Sequence, residues 1–126
     1  MEHTIEDLAA RRPHVPFEPR LTADDIVAFE ANSYISIDRI TTDEEVAWLK
    51  DVYDCMFSGR IKEFQDSRWD FVRPIDSKGE DLLPQIIAPE LSFPVLKETA
   101  FWRNGRKLAA QIMQLDEDAL NGLGAT

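Results

Sequence analysis

The stretch between Thr42 and Ser58 constrains this chain more than any other. Thr42-Asp43-Glu44-Glu45 has the layout of a capping box: a hydroxyl to satisfy an orphan backbone N–H, then acids at the positive end of a helix dipole. Behind it Val46, Leu49, Tyr53, Met56 and Phe57 form one apolar stripe at helical spacing, and Trp48, Val52 and Cys55 form a second beside it. A helix apolar over that much of its circumference has to be buried on several sides. Ser58-Gly59 ends it.

What can surround that helix is read from the flanking segments. Residues 1–20 carry Pro13, Pro16 and Pro19 and no sustained apolar period, which predicts a flexible N-terminal arm with a short helical turn around Ile5–Ala10. Thr22-Ala23-Asp24-Asp25 is another capping box, with Asp in the Glu/Gln position; Ile26 and Phe29 share a face and Asn32-Ser33 stops the helix. Tyr34–Ile40 is β-rich, with Ile35 and Ile37 on one side. Residues 60–81 show no clear period beyond a short strand at Trp69–Pro74 and turn chemistry at Asp76–Gly79. Leu82–Pro89 reads as a strand confined by its prolines to an edge. Ser92 is placed to cap a long helix with Pro94 in its first turn, Gly105 as its weak point, and Val95, Thr99, Trp102, Leu108, Ile112 and Leu115 on its buried side. Residues 121–126 form a flexible end. The fold class is α+β.

Charge and composition narrow the function. Fourteen basic residues against 24 acidic ones give a net charge of −10, and an acidic field repels a phosphate backbone, so no nucleic acid is expected. No run approaches the ~18 apolar residues of a membrane span. No secretory layout opens the chain, so a cytoplasmic protein is expected. Cys55 stands alone and rules out an internal disulfide. His3 and His14, the only imidazoles, lie in the proline-rich arm, so no metal site and no base for a cysteine nucleophile can be assembled from the ordered part. Asp24-Asp25, Asp43-Glu44-Glu45 and Asp116-Glu117-Asp118 are read as capping and solvation. Phosphate-binding glycine loops and nucleophile elbows are missing.

Three blocks in order nevertheless resemble a known family. Leu21-Thr22-Ala23-Asp24-Asp25 with Phe29, Tyr34 and Ile35 is similar to the opening of phytanoyl-CoA dioxygenase family proteins. Thr42-Asp43-Glu44-Glu45-Val46 matches their Thr/Ser-x-Glu-Glu-Val cap and the helix after it. Leu83-Pro84-Gln85-Ile86-Ile87-Ala88-Pro89, then Phe101-Trp102-Arg103-Asn104 and the helix to Leu115, resemble a third block. Ser33 departs from the pattern, standing where the family has glycine before its aromatic residue. The resemblance covers residues 21–120. It implies helices and short strands that pack around a double-stranded β-helix core of jelly-roll type, most of which is missing here.

It also implies an Fe(II)- and 2-oxoglutarate-dependent oxygenase that hydroxylates a small or acyl substrate. The family's iron ligands and 2-oxoglutarate-binding arginine follow the matched blocks, so the chain is expected to hold no cofactor itself and to be inactive alone, as from a truncated or interrupted reading frame. Gln85 lies on the strand that borders the cosubstrate and substrate cavity in such enzymes, and Trp69 and Arg73 are weaker binding candidates. The competing expectation is a non-catalytic binding or oligomerisation module derived from the helical layer. Its apolar faces, Val46/Leu49/Tyr53 and Leu108/Ile112/Leu115, would then be exposed and favour a homo-oligomer.

Overall fold

A computed structural model of the chain describes residues 4–72 and 82–120. Arg73, the turn at Asp76–Gly79, His3 and the end at 121–126 lie outside the described residues. The elements run α1 (Ile5–Ala10), α2 (Ala23–Asn32), α3 (Asp43–Phe57), α4 (Lys62–Gln65), β1 (Arg68–Asp70), β2 (Pro84–Ile86), α5 (Pro89–Ser92) and α6 (Ala100–Met113), with 3-10 turns at Pro94–Glu98 and Glu117–Leu120. Helices with one two-stranded antiparallel sheet make this a mixed, mainly helical fold. Among the described residues no helix is long and apolar enough to cross a membrane.

The chain divides into two compact units, residues 1–12 with 47–96 and residues 13–46 with 97–126. The first has an apolar core. Trp48, Val52, Cys55 and Met56 of α3 are buried with Leu8 of α1, Ile61, Phe64 and Phe93. Phe64 meets Phe93 edge to face at 6.2 Å, the arrangement favoured by aromatic quadrupoles. The Trp48 indole N–H donates to the Leu8 carbonyl at 2.8 Å, so the polar end of this buried ring is satisfied. Of the two stripes on α3, the one carrying Trp48 is buried throughout, and the other is split: Met56 is buried and Leu49 and Phe57 pack against the core. Val46 and Tyr53, from the other, are more than half exposed.

In the second unit, α2 starts with the expected reciprocal box: Thr22 Oγ1 accepts from Asp25 N–H and the Asp25 carboxylate accepts from Thr22 N–H. No residue of α2 is buried. The helix ends at Ser33, which sits in the left-handed region at φ 67°. That is the conformation for which glycine is the usual residue.

Two local expectations are corrected. Tyr34–Ile40 forms no strand, because among the described residues no second strand pairs with it, and β propensity without a partner ladder does not make a sheet. Ser92 does not cap the last long helix: its hydroxyl donates to the Glu63 carbonyl at 2.9 Å, Pro94 opens a 3-10 turn, and α6 begins later, behind Thr99. Gly105 is accommodated inside α6 without a break. Leu108 is buried in that helix, whereas Leu115 beyond its end is exposed.

Candidate functional site

The hairpin gathers two of the three residues singled out from the sequence. β1 and β2 pair antiparallel with Arg68 opposite Ile86, Trp69 opposite Gln85 and Asp70 opposite Pro84. Alternation along a strand puts Trp69 and Gln85 on the same face. The ladder continues past the strand ends through Phe71 N–H to the Leu83 carbonyl (3.2 Å) and Ile87 N–H to the Ser67 carbonyl (3.1 Å). Phe71, Leu83 and Ile87 accordingly share that face. Trp69, Phe71, Leu83 and Ile87 are 45, 59, 48 and 48 % exposed, an apolar sheet surface open to solvent. Trp69 and Phe71 rest ring against ring at 5.3 Å.

The opposite face is anchored. Ile86 packs on the apolar core, and the Arg68 guanidinium donates to the Phe57 carbonyl and Gln65 Oε1, both at 3.2 Å. Asp70 holds the connected end of the hairpin, its carboxylate accepting from the N–H groups of Val72 (2.8 Å), Leu82 (2.7 Å) and Leu83 (3.0 Å). Gln85 is half-buried, and among the described residues its side-chain amide has no hydrogen-bond partner. An amide carries both donors and an acceptor. Between aromatic and aliphatic neighbours it can orient a ligand that has a planar or apolar body and one polar edge.

The second unit contains a polar site that sequence reading missed. Glu45 is 1 % exposed, although it was expected as a solvated first-turn acid of α3. Its carboxylate instead caps a helix 55 residues away, accepting from Ala100 N–H at 3.0 Å and Phe101 N–H at 2.6 Å, and from the Thr41 hydroxyl at 2.8 Å. Thr99 Oγ1 takes the next donor, Trp102 N–H, at 3.1 Å, and the Thr99 carbonyl takes Arg103 N–H at 3.0 Å. The orphan donors at the start of α6 are thus all satisfied. One turn on, the buried Asn104 amide donates to the carbonyls of Phe17 (2.9 Å) and Ile40 (2.7 Å). The only hint in the sequence is a Thr-Thr-x-x-Glu spacing, and it does not say which helix the carboxylate serves.

The chain matches no family model, no curated protein and no solved structure. What its side chains can do is therefore read from their own geometry. Cys55 lies in the α3 core, and burial pushes its thiol pKa up, with Arg11 pulling the other way. A thiol held in its neutral form is a poor nucleophile. Among the described residues no three His, Cys, Asp or Glu side chains group closely enough to hold a metal ion. The open apolar face, with a Gln85 amide unpartnered among the described residues, remains the strongest candidate for a binding surface.

Proposed function

We propose that residues 21–120 form the N-terminal layer of an Fe(II)- and 2-oxoglutarate-dependent oxygenase of the phytanoyl-CoA dioxygenase type, in which the Trp69/Gln85 face of the hairpin lies against the cosubstrate and substrate cavity. The observation that carries this reading is that face itself: Gln85, which the family pattern singles out, stands directly opposite Trp69 among exposed apolar side chains, its amide unpartnered among the described residues. Two features of the second unit support it. Ser33 takes the left-handed conformation at the position where the family has glycine, and Tyr34–Ile40, the segment matching the family's first strand, has no sheet to join among the described residues.

The donors present do not fit the iron. A non-haem ferrous site takes two imidazoles and a carboxylate, and His14 is the only imidazole among the described residues. No catalytic step is assigned to this chain; its proposed work is to wall the cavity and orient what enters it. The missing β-helix core, a cytoplasmic setting and a small or acyl substrate belong to the same proposal. The test is a fusion of residues 1–126 to the β-helix segment of a family member stripped of its own N-terminal portion. Supplied with Fe(II) and 2-oxoglutarate, the fusion is expected to form succinate, and the chain alone is not. A folded but inactive fusion, or a stoichiometric iron site supporting turnover in the chain alone, overturns the reading.

A second reading, a non-catalytic oligomerisation module, is favoured by one observation. Val46 and Tyr53 lie seven residues apart on α3 and both are exposed. A stable dimer in sedimentation that Tyr53→Glu dissolves without loss of helix supports this second reading over the first.

A further inference from the structure

Helix α6 carries a glycine that the described chain does not explain. Gly105 lies in the helix interior, where glycine costs stability relative to alanine. Its backbone is not left-handed, and a Cβ built on it would meet nothing within 4 Å. Neither conformation nor close packing among the described residues calls for glycine here. The space beside it is a cavity of about 290 Å³ whose lining includes Ile40, Phe101, Trp102 and Leu120, with Arg106 as its one charged residue. That volume is at the small end of the range for ligand pockets.

We propose that this cavity binds an aryl carboxylate, with the ring between Phe101 and Trp102 over Gly105 and the carboxylate on Arg106. The Arg106 guanidinium is held by one bond, Nη2 to the Glu117 carbonyl at 3.0 Å, and no carboxylate among the described residues pairs with it. Its planar fork matches a carboxylate in two-point geometry. A single guanidinium on a chain of net charge −10 suits a monoanion better than a phosphate dianion.

The walls are set before any ligand arrives. Glu45 fixes the backbone at Phe101, and Asn104 ties Ile40 to α6, through side chains that are themselves buried and hydrogen-bonded. Preorganisation of this kind lowers the cost of binding. The inference is independent of the oxygenase reading.

The test is titration of the full chain with 2-naphthoate and with its uncharged isostere 2-naphthamide, followed by the amide resonance of Gly105 and by calorimetry. Naphthoate is expected to bind more tightly than naphthamide. Arg106→Gln should weaken naphthoate about tenfold, as loss of a charge-assisted contact does, and leave naphthamide unchanged. Gly105→Leu, which fills the cavity, should abolish both without lowering the melting temperature. Equal affinity for the two probes, no response of Gly105, an Arg106→Gln variant that binds naphthoate as before, or binding retained in Gly105→Leu would each overturn the proposal.

Discussion

Each of the two compact units is organised internally by a different balance of forces. In the first, α3, α1 and the segment around Phe64 and Phe93 bury apolar surface, and the one polar atom of Trp48 is quietly satisfied. In the second, no residue of α2 is buried, and beside the buried Leu108 and Leu120 stand Thr41, Glu45, Thr99 and Asn104, four polar residues all nearly inaccessible and all hydrogen-bonded. Apolar burial degrades gradually as atoms are removed, whereas a buried polar network fails when a single member leaves its partners unsatisfied. The contrast teaches where each unit is vulnerable.

The largest effect is expected from the apolar side. Phe93→Ala should cost about 3–5 kcal/mol in chemical denaturation, because Phe93 is fully buried between Phe64 and Trp48. A loss below about 1 kcal/mol would mean that the first unit is not organised on this core. Next comes Glu45→Ala, expected to cost about 2–3 kcal/mol by stranding Ala100 N–H, Phe101 N–H and the Thr41 hydroxyl. Glu45→Gln should recover part of that loss, since one acceptor oxygen survives. If both variants melt like the parent, the polar account of the second unit is wrong.

Smaller effects sharpen the same contrast. Ser33→Gly should stabilise the chain by about 0.5–1 kcal/mol, relieving a side chain in the left-handed region at the end of α2. A destabilised variant would contradict that backbone conformation. The smallest effect concerns Cys55. Burial favours its neutral thiol in the folded state, so the associated stability is complete below the ordinary thiol range and falls as pH rises through the raised native value. Alkylation of native Cys55 by iodoacetamide should lag behind the denatured chain across the mildly alkaline range. Equal rates would show an open thiol.

The contrast also explains what the sequence could reveal. The apolar stripe of Trp48, Val52 and Cys55 was legible because burial leaves a period in the residue order, and local caps such as Thr22-Asp25 were legible because both partners lie within one turn. The exposure of Val46 and Tyr53 was not, since they share their period with the buried Met56. Glu45 was misread as a solvated acid because its partners lie 55 and 56 residues on, beyond any local pattern. Ser92 was misread as a cap because Thr99, a few residues later, offers the same chemistry and the Glu63 carbonyl claims the Ser92 hydroxyl. Gln85 and Trp69 came from a family pattern rather than from periodicity. Their facing positions depend on a strand register that two three-residue strands do not announce.

The proposed oxygenase role requires the open Trp69/Gln85 face of the hairpin to be covered in the assembled enzyme. Acrylamide quenching of Trp69 measures this most directly, taken as the difference between the chain and its Trp69→Phe variant, free and fused to the β-helix segment of a phytanoyl-CoA dioxygenase family member. In the free chain Trp69 is 45 % exposed and should be readily quenched. The fusion is expected to shield it, so that the quenching falls sharply. Quenching that is the same in the fusion as in the free chain would contradict it.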